Sequence, residues 1–268
     1  MKKLSLYQVD SFTDSLFSGN PAAVVPLEQW PEDKLLQAIA LENNLSETAF
    51  FVKDNNGDYE IRWFTPTVEV DLCGHATLAA AAVIMEKIAP TQQKIRFYSR
   101  HSGELAVTHD ETGLYWLDFP TRFPVACDIA PSEWGAAEAL DAGRDLILRL
   151  ANPEAVQQYQ PNLEKMSSLS WDGVLITAAV AKAEKDKFSH ADFVSRCFFP
   201  KLGVLEDPVT GSAHTSLSPY WAEKLQKSSL KALQVSPRGG YLMLEQKTTR
   251  TLIGGRAVFY LTGEIRAC

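Results

Sequence analysis

Two short stretches decide the fold: Asp71-Leu72-Cys73-Gly74-His75-Ala76-Thr77 and Asp207-Pro208-Val209-Thr210-Gly211-Ser212-Ala213-His214. Each sets a glycine turn in front of a segment that reads as a helix. Shifting the chain by 137 residues lays Gly74 on Gly211, Ala76 on Ala213, Glu86 on Glu223, Lys87 on Lys224, Ser99 on Ser236, Gly103 on Gly240 and Leu105 on Leu242. Upstream, Arg62-Trp63-Phe64-Thr65-Pro66 falls on Arg196-Cys197-Phe198-Phe199-Pro200 at a shift of 134, so the second copy carries three extra residues between its Pro and its Gly. Single identities at an arbitrary shift are common among Ala, Gly and Leu. An ordered set on one shift is the mark of an internal duplication.

The layout of each copy supports this reading. Runs rich in β-branched and aromatic residues and bounded by turn residues predict strands over Thr48–Val52, Tyr59–Phe64, Gly173–Val180 and Asp192–Phe199. Further strands are predicted over Lys94–Tyr98, Glu104–Thr108 and Leu114–Phe119, then Leu233–Ser236, Tyr241–Glu245 and Arg256–Glu264. Between these sets, Thr77–Lys87 is Ala-rich and almost wholly apolar, as a helix buried on all sides must be. Its partner, about Ser216–Gln226, carries Pro219 in what should be its first turns, where proline is tolerated. The expected fold is α+β, with two pseudo-symmetric lobes, each a barrel-like sheet wrapped around a central helix and meeting the other across a cleft. The expected lobes are residues 1–118 and 119–268. The segment from Thr121 to Ser170 is poor in strand signals; Pro131–Leu150 reads as one or two amphipathic helices that join the lobes.

Composition narrows the function classes. With 268 residues, 46% of them apolar, and 26 basic against 33 acidic side chains, the chain is globular and net negative. No basic patch exists to neutralise phosphates, which excludes nucleic acid as the expected partner. The longest apolar run, Leu78–Met85, is eight residues, against the roughly 20 that cross a bilayer, so no membrane partner is expected either. Gln8 and Asp10 interrupt any signal-peptide core, and the four scattered cysteines lack CxxC pairing. These features predict a cytoplasmic location without structural zinc.

A helix N-terminus with unpaired N–H groups favours anions, and two such turns facing one cleft would hold a carboxylate. Read on residue type alone, each candidate keeps two roles. His75 is a neutral ligand-contacting imidazole or a packed histidine. Asp207 is a cleft carboxyl or an acidic residue favoured near a helix start, and Ser212 is a ligand contact or a cap. Glu47, in Asn43-Asn44-Leu45-Ser46-Glu47-Thr48-Ala49-Phe50, has no recognisable counterpart in the second copy.

Four segments, Ser18-Gly19-Asn20-Pro21, Leu45-Ser46-Glu47-Thr48-Ala49-Phe50, Cys73-Gly74-His75-Ala76-Thr77 and Glu206-Asp207-Pro208-Val209-Thr210-Gly211-Ser212-Ala213, resemble in order the motif series of the PhzF family of phenazine-biosynthesis-like proteins. The resemblance implies the two-lobed fold of diaminopimelate epimerase. It also implies that Glu47 is the acid/base residue, that Asn20, His75, Asp207 and Ser212 contact substrate, and that Gly74 and Gly211 supply helix-start amides. The related epimerases use one cysteine from each lobe. Here Cys73 lies in the first turn but the second turn has none, so a two-thiol racemase is disfavoured.

The expected activity is a cofactor-independent isomerase, without metal, acting on a small carboxylic acid bound between the lobes. Glu47 would take a proton and return it elsewhere on the same face, a task suited to a carboxyl whose pKa burial raises. The alternative is a non-catalytic binding or scaffold protein that retains the cleft. A serine hydrolase using Ser212 is disfavoured, because Thr210-Gly211-Ser212-Ala213-His214 lacks the Gly-x-Ser-x-Gly elbow. Substrate identity is not legible, nor is the choice between isomerisation and epimerisation, and a homodimer is left open.

Overall fold

The computed structural model describes residues 2–181 and 187–267. The chain forms two compact units, Met1–Asp118 with Gly254–Cys268, and Phe119–Ile253. This differs from the expected 119–268 lobe. The C-terminal strand Ala257–Ala267 runs antiparallel along the N-terminal one, from Lys2↔Ala267 to Ser11↔Ala257, and ladder pairing carries it into the first unit.

The first unit runs β1 (Lys2–Ser11), β2 (Asn20–Leu27), α1 (Asp33–Asn43), β3 (Glu47–Lys53), β4 (Tyr59–Phe64), β5 (Glu69–Val70), α2 (Gly74–Val83), a π-helical turn (Ile84–Ile88), β6 (Lys94–Ser99), β7 (Gly103–His109) and β8 (Tyr115–Pro120). Strands β2 and β3 pair in parallel, which demands a crossover, and α1 supplies it by burying Leu36, Ile39 and Ala40. Every residue of α2 is buried. It packs against β1, β2, β3, β7 and the C-terminal strand. Four consecutive alanines, Ala79–Ala82, let strands approach it from all sides.

In the second unit come β9 (Val125–Ala126), a 3-10 turn (Pro131–Trp134), β10 (Glu138–Asp141), β11 (Asp145–Arg149), α3 (Pro153–Gln158), α4 (Leu163–Ser167), β12 (Gly173–Ala179), β13 (Phe193–Phe199), a second 3-10 turn (Pro200–Leu202), β14 (Val204–Asp207), α5 (His214–Leu225), β15 (Ser229–Gln234), β16 (Gly240–Gln246) and β17 (Arg250–Gly255). Pro131–Leu150 is therefore mainly two strands rather than amphipathic helices, and the segment from Thr121 to Ser170 belongs to the second unit instead of joining two lobes. Its side chains explain the change: Leu146, Ile147 and Leu148 are all buried in a strand flanked by two others, so the two-residue alternation of a half-exposed strand is absent. β1, β2 and β17 carried no legible signal either, and β15 lies earlier than the expected Leu233–Ser236.

The fold is α+β, and the pairing pattern of the first unit recurs in the second. β1–β2 antiparallel, β2–β3 parallel, β3–β4 and β4–β5 antiparallel, β4–β6 parallel and β6–β7 antiparallel correspond to β10–β11, β11–β12, β12–β13, β13–β14, β13–β15 and β15–β16 with the same senses. An ion pair recurs as well. Arg62 donates through Nε and one terminal nitrogen to both oxygens of Glu69, at 2.7 and 2.6 Å; Arg196 does the same to Glu206, at 2.7 and 2.9 Å. Each guanidinium also lies over a strand phenylalanine, Phe64 or Phe198. The remaining nitrogen fastens the crossover helix from opposite ends: Arg62 reaches Asp33 in the first turn of α1, while Arg196 reaches the carbonyls of Val156, Gln157 and Tyr159 where α3 ends. Both choices complement the helix dipole.

Pro219 lies in the middle of α5 and not in its first turns. It cannot donate to the carbonyl of Thr215, and the backbone N–H of Arg122 takes that carbonyl at 3.0 Å. Among the described residues no helix is long and apolar enough to cross a membrane.

Candidate active site

Asn20 opens β2, Glu47 opens β3, and His75 is the second residue of α2. The turn before Asn20 requires glycine: Gly19 has φ +68°, and a Cβ there would lie 2.3 Å from the carbonyl oxygen of Ser11. The Ser11 hydroxyl donates to the carbonyl of His75 at 2.8 Å, which ties the helix start to β1. The imidazole is held at both nitrogens. Asn20 Nδ2 lies 3.1 Å and Cys73 Sγ 3.4 Å from Nδ1. On the other edge, Glu47 Oε2 is 3.2 Å from Nε2, an ion-pair distance whose angle misses hydrogen-bond geometry.

In a neutral ring the Asn20 amide can donate to Nδ1 with the ring proton on Nε2, facing Glu47; in a charged ring both nitrogens carry protons and Nδ1 no longer accepts from that amide. His75 is 4% exposed. Burial opposes its charge, but Cys73 and Glu47 outweigh that and hold its pKa well above the usual 6.5. That direction favours a charged ring over the neutral imidazole of the sequence reading. The Cys73 thiol moves the opposite way from a nucleophile's, pushed up to about 11 by burial and by Glu47.

Glu47, Cys73 and His75 each offer a ligand atom, all within 4.8 Å of one another, a spacing at which the three could hold a metal ion; the carboxyl lies beside Nε2 and the thiol beside Nδ1.

In the second unit the turn is built differently. The carbonyl of Gly211 accepts from the N–H of His214 and that of Ser212 from Thr215, both i to i+3, and the first α-helical bond runs from Leu217 to Ala213. Gly211 thus precedes α5 by a 3-10 turn, whereas Gly74 is the first residue of α2, a correction to the expectation of equivalent helix starts. Ser212 is not the cap; the N-cap position belongs to Ala213. Asp207, at the end of β14, accepts from the Thr210 hydroxyl at 2.5 Å.

A residue without a sequence signal organises this turn. Gln234, fully buried on β15, donates to the carbonyl of Asp207 at 2.7 Å and accepts from the N–H of Thr210 at 2.9 Å. His214 is fully buried, donates Nδ1–H to the carbonyl of Thr210, and stacks on Phe193; burial lowers its pKa to about 4 against the effect of that bond.

A family model, phenazine biosynthesis-like protein, matches residues 9–263. The chain belongs to this family. An uncharacterized isomerase of Pseudomonas aeruginosa is 46% identical over 267 residues, 98% of this chain and 99% of that one. The crystal structure of a phenazine biosynthesis protein of the PhzF family from Enterococcus faecalis superposes with a TM-score of 0.91 at 45% identity, covering 99% of this chain and 100% of that one. A hydroxyproline epimerase of Agrobacterium vitis shares the fold, with a TM-score of 0.63 at 9% identity over 98% of this chain and 92% of that one.

Proposed function

We propose that this member of the phenazine biosynthesis-like family is an isomerase that shifts a proton within a small carboxylic acid, with Glu47 as the group that removes it. The observation that carries the reading is the Glu47–His75 pair: a carboxyl set 3.2 Å from a ring nitrogen at the start of a wholly buried helix. A base must be able to reach a C–H bond of the substrate, and Glu47, about 15% exposed, keeps a partly open side for it. The His75 Nε2–H and the first-turn amides of α2 are donors for the charge that develops when the C–H is broken. Asn20 orients the imidazole, and Asp207, Gly211 and Ser212 are the second unit's candidates for substrate contact. The curated name of the Pseudomonas relative supports the reaction class. The raised thiol of Cys73 favours Glu47 over a cysteine as base. The chemistry needs no cofactor, because removing and returning a proton leaves the oxidation level unchanged.

The test is NMR in deuterium oxide with vinylacetate and its longer β,γ-unsaturated homologues, following deuterium entry and movement of the double bond. Glu47→Gln is expected to fold and bind while losing turnover by about 10²- to 10⁴-fold, and Cys73→Ser to lose far less. Loss of turnover in the serine variant with retention in the glutamine variant would sink the assignment, and binding without turnover of any acid would favour a pure binding protein.

A further inference from the structure

The three side chains gathered at the start of α2 bring three kinds of ligand atom to one place, all within the first unit. Glu47 offers a carboxylate oxygen, Cys73 a sulfur and His75 a ring nitrogen, one atom from each lying within 4.8 Å of the others. Tetrahedral zinc holds sulfur at about 2.3 Å and nitrogen or oxygen at about 2.0–2.2 Å, which sets its ligand atoms about 3.3–3.6 Å apart. The carboxyl oxygen is 3.2 Å from Nε2 and the thiol sulfur 3.4 Å from Nδ1, so each ring nitrogen already has a partner at about that separation. Gathering one atom from each residue around an ion asks the widest gap to close by about 1 Å.

Burial supplies a second, independent mark. His75 Nε2 and Glu47 Oε2 are both shielded from water, and neither has a hydrogen-bond partner among the described residues. With His75 only 4% exposed, a polar atom so placed is costly until something answers it. A cation beside both atoms answers the nitrogen and the oxygen together. Charge points the same way: a thiolate, a carboxylate and a neutral imidazole sum to two negative charges, which a divalent cation cancels. The ligands are also held in advance, since the Ser11 hydroxyl fixes the carbonyl of His75 and the Thr77 hydroxyl that of Cys73. Magnesium and calcium demand six or more oxygens, of which the cluster supplies a single carboxylate, whereas thiolate with imidazole suits zinc.

We propose that Glu47, Cys73 and His75 form a reversible zinc site, and that a bound zinc ion switches the protein off by occupying the carboxylate that removes the substrate proton. The binding half of this inference stands on the cluster alone; the inhibitory half rests on the proton-shift reading. On binding, the S–H bond of Cys73 gives way to a sulfur–metal bond, and its proton passes to water together with any proton on the ligating ring nitrogen. No electron is transferred, so neither oxidant nor reductant is involved. The partly open side of Glu47 is the way in, and the fourth position of the ion is left to water or another small ligand. Zinc is here an inhibitor and takes no part in the reaction itself.

The experiment uses the full chain without an affinity tag, stripped by a chelator and titrated with zinc against a chromophoric competitor, with cobalt(II) as the spectroscopic substitute. The wild type should take up a single zinc ion at the cluster, magnesium should not displace it, and the cobalt form should show a sulfur-to-metal charge-transfer band. Cys73→Ser should lose that band and bind zinc at least about 10²-fold more weakly, the upper end of what losing a mere outer-shell partner costs. Glu47→Gln, which leaves the thiol in place, should keep the band while weakening zinc by a similar factor, and it decides the matter if the serine variant fails to fold. Zinc held by either folded variant as tightly as by the wild type would overturn the site, and so would a cobalt form with no sulfur band. With vinylacetate and its β,γ-unsaturated homologues, added zinc should stop wild-type turnover and a chelator should restore it. Turnover that continues with the site filled would overturn the switch. If none of these acids reacts, the proton-shift reading falls and the switch with it, while the binding titration still decides the site.

Discussion

Asp145→Asn should alter stability in a way whose pH dependence is fixed by the folded environment. In the folded chain burial holds the proton on Asp145 up to about pH 6, whereas the ordinary value is 3.8. Between these limits the folded chain binds more protons than the unfolded one, so stability falls as pH rises through that window. The contribution is fully present below about pH 3.8 and is lost once pH passes about 6. At about 1.36 kcal/mol per pKa unit, the loss is about 3 kcal/mol. Asparagine has no such titration. Whatever fixed cost its amide carries cancels when the difference between variant and wild type is followed against pH. That difference should move by about 3 kcal/mol in favour of the variant between acid and mildly alkaline solution. Urea unfolding followed by tryptophan fluorescence reads it, because Trp134, Trp171 and Trp221 all lie in the second unit. A flat difference would show that Asp145 titrates normally, and a difference of opposite sign would show that Arg122, 4.0 Å from its carboxyl, governs it rather than burial.

Two further outcomes follow from groups described above. Arg196→Met leaves Glu206 and the carbonyls of Val156, Gln157 and Tyr159 without their donor, and should cost about 3–5 kcal/mol in equilibrium unfolding; a loss below about 1 kcal/mol would mean that the fork behaves as an exposed pair. His214 shows the reverse pH behaviour to Asp145: with its folded pKa lowered to about 4 from 6.5, its contribution is present above about pH 6.5 and is lost as pH falls towards 4. His214→Asn, which keeps a donor for Thr210, should flatten that acid loss of about 3 kcal/mol; an unchanged acid profile would refute the assignment.

The duplication was legible because its identities keep one spacing along the chain, and because α2, a helix buried on every side, needs small residues. Glu47 was legible only through resemblance, since a glutamate beside a polar turn carries no local mark of being paired with a histidine 28 positions away. Asp145 was hidden because it sits in a segment read as helical, and only the ladder register sets it beside Gly173. Gln234 escaped for a related reason: its amide bridges Asp207 and Thr210 from a strand more than twenty residues downstream. The groups that folding brings to the His75 ring, the Cys73 thiol and the Glu47 carboxyl, are likewise not marked in the sequence.

The partnership of the C-terminal strand with β1 bears on the order in which the protein is made. The second unit is one uninterrupted stretch of chain, whereas the first is completed only by residues that follow it. During synthesis, the outer side of β1 waits with a row of unanswered backbone donors and acceptors until the last strand is available. An open strand edge of this kind invites pairing with other chains, so the first unit depends on the later strand Ala257–Ala267 to seal the edge of β1. The usual N-to-C sequence of unit formation is thereby inverted: the later-made unit is the one that can finish without help.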